Sequence, residues 1–374
     1  MDLSEIRKQL DECDGEIVKL FEKRMELSEE VAAAKLESGK GVLDKDREKA
    51  KLAKVSSQVT GDLNKAGIQD LFRLLMSLSK KLQYKKLIES GRHINIPFIP
   101  VDDIISGSPR VVFQGDEGAY SQLAMKKFFG DGVDCIHVPT FRAAMSTISE
   151  GTADYAVLPI ENSTAGIVSE IYDLLAEYEN YIVGEQVIGI EHCLMGVKGA
   201  DISDIKTVFS HPQSLMQSAR FLEKFDWKLI SMPNNAFAAK KVADEGDKSQ
   251  AAVASSLAAE IYGLDILEKG INQEENNSTR FIVVTNQKVY RKDAGKISLC
   301  FELPHESGSL YNCLGHFIFN GLNISKIESR PIEGRTWEYR FFLDFDGNLS
   351  DPSVRCALAG LREEVKYLRV LGNY

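Results

Sequence analysis

Arg24 stands where an apolar residue belongs. Leu3, Ile6, Leu10, Cys13, Ile17, Leu20, Leu27, Val31 and Ala34 recur in alternating steps of three and four, and the guanidinium falls in that seam. A buried guanidinium must be paired or solvated, so this one calls for an anionic partner. Lys35 follows three turns later on nearly the same face, with a side chain long enough to lean back toward Arg24. Asp44, Arg47 and Glu48 share one face of a second helix, and Ser79 and Gln83 one face of a third. Taken singly, each is an ordinary surface polar group on a bundle. Together they exceed what an ordinary bundle surface needs, with Arg24 and Lys35 as cations that expect an anion.

Further along lie four polar segments with a different logic. Gln114-Gly115-Asp116-Glu117-Gly118-Ala119-Tyr120-Ser121 joins a strand to a helix, a generic anion cradle or simply a turn. Pro159-Ile160-Glu161-Asn162-Ser163-Thr164 places polar groups at the end of a strand, where α/β ligand sites lie, and Ser210-His211-Pro212-Gln213 does the same later. Asn276-Asn277-Ser278-Thr279-Arg280-Phe281 runs from a polar loop into an apolar strand and also reads as a capped strand start. A Ser/His/Asp hydrolase built on His211 with Ser163 or Ser210 lacks a Gly-x-Ser-x-Gly elbow around either serine. Near the C-terminus, Glu306-Ser307-Gly308-Ser309-Leu310 opens a helix, and Asn323 to Pro331 contains Ile327-Glu328-Ser329-Arg330-Pro331. Glu328 and Arg330 there are either ligand contacts or a solvated strand end.

These groups need elements to position them. The seam predicts a first helix about 50 Å long at 1.5 Å per residue, broken at Gly39-Lys40-Gly41. A second helix begins near Asp44, and Ile68, Leu71, Leu75, Leu78 and Leu82 mark a third. One helix far longer than a compact monomer of this size needs would leave its seam wet, which predicts an interlocked helical dimer. Residues 91–108 lose all periodicity and read as a linker. From Arg110, short β-rich runs alternate with helical stretches, the pattern of an α/β domain with largely parallel strands in two lobes around a cleft. After Asp293-Ala294-Gly295 the order becomes βαββαβ, the ferredoxin-like order.

Residues 1 to about 88 resemble the all-helical chorismate mutase family, with Arg7, Arg24, Lys35, Asp44, Arg47, Glu48, Ser79 and Gln83 in register. Residues 110 to 286 resemble the prephenate dehydratase family, of which Asn-x-Thr-Arg-Phe at Asn277 to Phe281 is the most specific mark. The C-terminal motifs resemble the amino-acid-sensing ACT domain found fused to prephenate dehydratases, with Ser309 standing where that family often has Ala. The resemblance implies a helical, dimeric mutase domain (1–90), the linker (91–108), a two-lobed α/β dehydratase domain (109–290) and a ferredoxin-like regulatory domain (295–374).

By that resemblance Arg24 and Lys35 clamp carboxylates, Arg7 reaches in from the partner subunit, and Lys35 and Gln83 donate to the breaking ether oxygen. Glu48 takes the substrate hydroxyl, while Asp44, Arg47 and Ser79 complete the polar shell. A Claisen rearrangement has neither nucleophile nor proton transfer, so cations and neutral donors suffice. For the dehydratase, Thr279 is the expected group at the leaving hydroxyl, with Glu161, Asn162, Ser163, Ser210, His211, Gln213, Asn277 and Arg280 lining the cleft. A threonine hydroxyl is too weak an acid to donate outright, so it relays a proton or acts as a polarised donor, with His211 or Glu161 as the polarising group. Gly308, Ser309, Leu310, Asn323, Glu328, Ser329 and Arg330 are the expected receptor for L-phenylalanine as feedback effector. Aromatisation drives the dehydratase step, so no cofactor is implied.

Composition narrows the partners. A formal net charge of -10 excludes a general nucleic-acid binder, which needs surplus Lys and Arg. Cys13, Cys135, Cys193, Cys300, Cys313 and Cys356 lie far apart with no CxxC pair and no His at ligand spacing, so neither structural zinc nor another metal is expected. The opening Met-Asp-Leu-Ser-Glu has no signal-peptide pattern and no apolar run suits a membrane span, which predicts a cytoplasmic protein. The expected partners are chorismate, prephenate, L-phenylalanine and further copies of the chain. A catalytically silent sensor of the same three parts would have lost the polar clusters, which are intact here. A chain in which only the dehydratase works would leave Arg24 buried without a ligand, which is costly.

Overall fold

The computed structural model describes residues 2–91, 96–274 and 276–374. The chain opens with three helices, α1 (Leu3–Ser38), α2 (Lys45–Ser56) and α3 (Asp62–Glu89). Alternating elements follow: β1 (Ile99–Val101), β2 (Arg110–Gln114), α4 (Tyr120–Phe129), β3 (Asp134–Val138), α5 (Phe141–Ser149), β4 (Tyr155–Asn162), β5 (Gly166–Ile167), α6 (Ser169–Glu177), β6 (Tyr181–Gly189) and β7 (Cys193–Gly196). Next come β8 (Thr207–Ser210), α7 (Pro212–Gln217), α8 (Ala219–Leu222), β9 (Lys228–Ser231), α9 (Asn235–Glu245), β10 (Gln250–Ala254), α10 (Ser256–Tyr262), β11 (Asp265–Glu268), β12 (Ser278–Thr285) and β13 (Val289–Arg291). The last run is β14 (Lys296–Glu302), α11 (Ser309–Ile318), β15 (Ile324–Pro331), β16 (Tyr339–Asp346), α12 (Pro352–Glu364) and β17 (Tyr367–Asn373).

These elements gather into two compact units, Met1–Ile96 with Leu299–Arg369, and Pro97–Ser298 with Val370–Tyr374. In the first unit α1 runs unbroken to Gly39, as its seam predicts, and packs along α3 near its C-terminal end, where Ser28 and Ala32 are buried. Further toward the N-terminus the same seam is open, with Leu10 56 % and Leu20 68 % exposed. The C-terminal elements follow the expected βαββαβ order, with neighbouring strands arranged β15-β16-β14-β17. Helix α12 packs on α3, and Val42, Tyr84 and Cys356 are buried together there.

The second unit has two larger sheets, each with its own apolar core, besides a two-stranded pair. One is ordered β6-β12-β4-β2-β3 and the other β11-β7-β10-β8-β9. The strands are mixed rather than largely parallel. β2 pairs parallel with β3 and β4, and β8 with β9 and β10, but β12 lies antiparallel between β4 and β6, and β7 antiparallel to β10 and β11. The apolar run Phe281–Val284 of β12 looks the same in either direction, so its sequence does not set the sense of pairing. The helix expected over Ser214 to Phe225 divides at Ser218 into α7 and α8. Of the expected linker, residues 92–95 lie outside the described residues. The rest is ordered: β1 pairs parallel with β13, and the Tyr155 hydroxyl donates to the buried Ile104 carbonyl at 2.5 Å.

Two candidate active sites and a C-terminal cavity

The first site forms where α1, α3 and the start of α2 meet. Arg24 Nη1 donates to the Leu75 carbonyl at 2.8 Å, and Lys35 Nζ to the Val42 carbonyl at 2.6 Å. Among the described residues no carboxylate forms an ion pair with either cation. Burial lowers the pKa of Arg24, and burial also lowers that of Lys35 against the fields of Asp44 and Glu363, which raise it. Two partly desolvated cations satisfied only by carbonyls keep their charge for an anion. Ser79 Oγ donates to Ser28 Oγ at 2.9 Å, and Gln83 Nε2 donates to Ser79 Oγ at 3.2 Å. Gln83 is only 6 % exposed, yet its Oε1 has no partner among the described residues.

The remaining candidates of this site divide. Asp44 caps α2, accepting the Arg47 backbone N–H at 3.0 Å, so it fixes the helix start. Arg47 is exposed, and Glu48 lies 3.4 Å from Lys80 Nζ. Arg7 is exposed on α1, about 25 Å along the axis from Arg24 at 1.5 Å per residue, and does not join the others within one chain.

In the second unit, antiparallel pairing of β4 with β12 sets Asn162 opposite Thr279 and Glu161 opposite Arg280. Asn162 Nδ2 donates to Thr279 Oγ1 at 2.8 Å and also lies 2.8 Å from Asn277 Oδ1. Its Oδ1 accepts from the Thr164 and Ala165 backbone N–H groups, which fixes the amide. Thr279 is 9 % exposed; with its oxygen accepting, its proton is available to donate. Beside it Asn277 Nδ2 is buried with no partner among the described residues, an orphan donor of the kind a ligand satisfies. Ser163 Oγ holds the Ser278 N–H at 2.9 Å, and Arg280 lies 3.5 Å from Glu161 and 3.2 Å from Glu185, so its charge is shared between carboxylates.

His211 caps α7, its Nδ1 accepting from the Gln213 N–H at 3.2 Å, and burial lowers its pKa so that it is a neutral imidazole at pH 7. Ser210, fully buried, donates to the Val253 carbonyl at 2.6 Å and also lies 3.0 Å from Asn235 Oδ1, which takes the His211 N–H. Ser210 and His211 therefore do not form a nucleophile–base pair. Gln213 and Asn277 line a cavity of about 150 Å³ with Thr164 and Gln217. The glycine loop is not an anion cradle: the Gly115 N–H is used by the Val138 carbonyl and the Gly118 N–H by Gln122 Oε1. It fastens one sheet's loops to the other, through Ser255 Oγ to the Gly118 carbonyl (2.6 Å) and Asn234 Nδ2 to Asp116 (2.8 Å).

A further cavity, about 370 Å³, lies in the C-terminal elements between the N-terminus of α11 and the strand β16. Ser309 and Leu310 line it with Leu303, Trp337, Tyr339 and Phe341. Gly308 is the α11 N-cap. Asn323 bonds Asp346 at 2.8 Å instead, and Glu328, Ser329 and Arg330 sit on β15 outside this cavity.

Sequence reasoning missed Ser28, Lys80, Asn235 and Gln217. Ser28 had a signal, a polar residue one turn beyond Arg24 in the apolar seam, and Gln217 stands one turn beyond Gln213. Gln217 bonds Thr164 Oγ1 at 2.8 Å and the buried His192 at 2.9 Å. Lys80 and Asn235 had none, because their partners come from distant segments.

Comparison with known proteins agrees with this layout. The chorismate mutase type II family profile matches residues 6–84 and the prephenate dehydratase profile residues 111–289. The bifunctional chorismate mutase/prephenate dehydratase of Enterobacter agglomerans is 33 % identical over 99 % of this chain and 95 % of its own. Among solved structures, the prephenate dehydratase of Arthrobacter aurescens in complex with L-Phe is 29 % identical with a TM-score of 0.66, covering 71 % of this chain and 89 % of its own. A quorum quenching acylase, GqqA, is 32 % identical with a TM-score of 0.64, over 70 % of this chain and 96 % of its own. Matched end to end by such a relative, with each family profile laid over one of the two sites, the chain belongs to the bifunctional chorismate mutase/prephenate dehydratase family, enzymes that join an isomerase and a lyase in one polypeptide.

Proposed function

We propose that the helical site rearranges chorismate to prephenate, that the Thr279 site converts prephenate to phenylpyruvate, and that L-phenylalanine binding at the C-terminal elements restrains the pathway. The observation that carries the first step is the pair Arg24 and Lys35, two cations whose hydrogen bonds go to carbonyls and which form no ion pair among the described residues. They clamp the substrate carboxylates and fold it into the reactive geometry. Lys35 and Gln83 stabilise the ether oxygen as its bond breaks, Glu48 takes the hydroxyl, and Arg7 comes from a second subunit. Gln83 makes its donor available by turning its amide over, so that Oε1 faces Ser79.

In the second step the ring carboxylate leaves as carbon dioxide, its C–C electrons form the aromatic ring, and the ring hydroxyl departs with a proton as water. In this reading Thr279 donates to that hydroxyl, supported by Asn162, which donates to the threonine oxygen and strengthens its donation. Asn277 Nδ2 offers a further donor to the dianion, and Glu161, Ser163, Ser210, His211, Gln213 and Arg280 shape the cleft. An acylase reaction has less support here, since Ser210 is tied to Val253 rather than to a base.

For feedback, the βαββαβ order supports a ferredoxin-like ACT domain, and the cavity beside Ser309 and Leu310 pairs an aromatic rim with a helix N-terminus, suited to a phenyl ring and a carboxylate. Asn323, Glu328, Ser329 and Arg330 are assigned to the same receptor as reached from a second subunit. Six free cysteines suit a reducing compartment, and we assign the cytoplasm. Among the described residues no helix is long and apolar enough to cross a membrane.

The test is to supply chorismate alone and follow prephenate and phenylpyruvate separately, with and without L-phenylalanine. The expected outcome is phenylpyruvate forming through prephenate, slowed by the amino acid. Prephenate accumulating alone would overturn the Thr279 assignment, and rates unchanged at saturating phenylalanine would remove the effector.

A further inference from the structure

The Lys80 ammonium lies between carboxylates of two different segments. Its side chain is 12 % exposed, and Nζ is 2.7 Å from Glu364 Oε1 on α12 and 3.4 Å from Glu48 Oε1 on α2. Lys80 is the one ion-pair partner of Glu48 among the described residues. We propose that Lys80 is a positioning residue of the mutase site, holding the Glu48 carboxylate in place, and that Glu364 of the C-terminal segment holds Lys80 in turn. This rests on the reading of Glu48 and Lys35 as chorismate contacts.

Three observations support it. First, Glu364 has a second neighbour, its Oε2 lying 3.1 Å from His316 Nε2 on α11. Desolvation alone would raise its pKa, but His316 and Lys80 outweigh that and lower it to about 2, so the carboxylate is charged at any working pH. Second, the adjacent Glu363 reaches the other end of the same site. Its Oε2 accepts from the Leu43 N–H at 2.7 Å and from the Tyr84 hydroxyl at 2.8 Å, and Leu43 follows Val42, whose carbonyl holds Lys35. Third, the close approach is built into the packing. A Cβ at Gly360 would fall 2.4 Å from the His316 ring and 3.1 Å from the Tyr84 ring, so a larger residue there would have to push the His316 ring aside. The two neighbouring carboxylates of α12 thus reach both the Glu48 end and the Lys35 end of the mutase site.

A merely structural ion pair would contribute to folding and leave the chemistry alone, so the test separates the two. In the full-length enzyme, Lys80→Met and Glu364→Gln are each expected to lower mutase kcat/KM by about 10- to 100-fold, mostly through KM, with prephenate dehydration unchanged. Lys80→Arg should recover most of the loss. In a Glu48→Gln background Lys80→Met should add little, because a residue that acts through Glu48 has nothing left to position. Equal loss of both activities, an unchanged mutase, or a full multiplicative effect in the Glu48→Gln background would each overturn the inference. A Glu48→Gln enzyme at full mutase rate would sink the site reading and this inference with it. A crippled Glu48→Gln beside a normal Lys80→Met would sink this inference alone.

Discussion

Gln83 and Thr279 pose the same problem in different surroundings: under the proposed function each is a neutral donor to an oxygen that gains negative charge. Gln83 does not titrate, so the mutase step should hold its rate through neutral pH. Gln83→Glu exchanges the amide for a carboxyl that donates only when protonated. Its activity is expected to be down about 100-fold near pH 7.5, the scale of losing one charge-stabilising donor, and to climb as pH falls through the carboxyl pKa. Mutase rates measured across pH 4.5 to 8.5 on both enzymes check this, and a flat profile for the variant would take Gln83 out of the role. Candidate polar groups were legible in the sequence where one of them interrupts an apolar seam, as Arg24 does. Ser79 and Gln83 do meet Ser28 next to Arg24, and Thr279 does meet Asn162 and Asn277. What sequence could not give was Lys80, an ordinary lysine on a helix until α12 brings Glu364 to it.

Elements were legible where periodicity or order alone decides them, as in α1 from Leu3 to Gly39 and in the βαββαβ run at the C-terminus. They were not legible where two segments compete for one place. Strand direction in the second unit depends on β12 returning between β4 and β6, and the run at Ile99 becomes a strand only because β13 offers an edge. The glycine loop after β2 shows the same limit: its sequence reads as a cradle, but its contacts make it a joint. Gly118 has φ +89, and a Cβ there would lie 2.7 Å from the Ala258 Cα at the start of α10. Gly118→Ala therefore has to move backbone against backbone, at a cost of roughly 1–3 kcal/mol for the strained conformation before any clash. The variant is expected to lose dehydratase activity and to inactivate at lower temperature in that assay, while mutase activity stays near normal. Loss of both activities in step would show that the joint matters beyond its own unit.

At the scale of the whole molecule, the open seam of α1 is the feature a single chain leaves unexplained. Leu3, Leu10, Ile17, Val18 and Leu20 are all more than half exposed, apolar positions of a helix that no described residue of the chain covers. Arg7, on the same helix about 25 Å from its own Arg24, is expected by the resemblance to reach the site of a partner. A second copy packed along α1 answers both points, covering the seam and delivering its Arg7 to the Arg24–Lys35 site, in a symmetric interface where each chain gives what it receives. Neither Arg7→Ala nor Lys35→Ala protein should then have appreciable mutase activity alone. Unfolded together and refolded as a mixture, half of the dimers pair one variant with the other, and each of these assembles one site with both residues intact. The mixture should therefore recover about a quarter of the wild-type mutase activity per chain, the proportion set by random pairing of a two-fold dimer. Failure to recover any activity, with the mixture dimeric by sedimentation, would mean that Arg7 serves its own chain or none, and that the seam is covered by something other than this pairing.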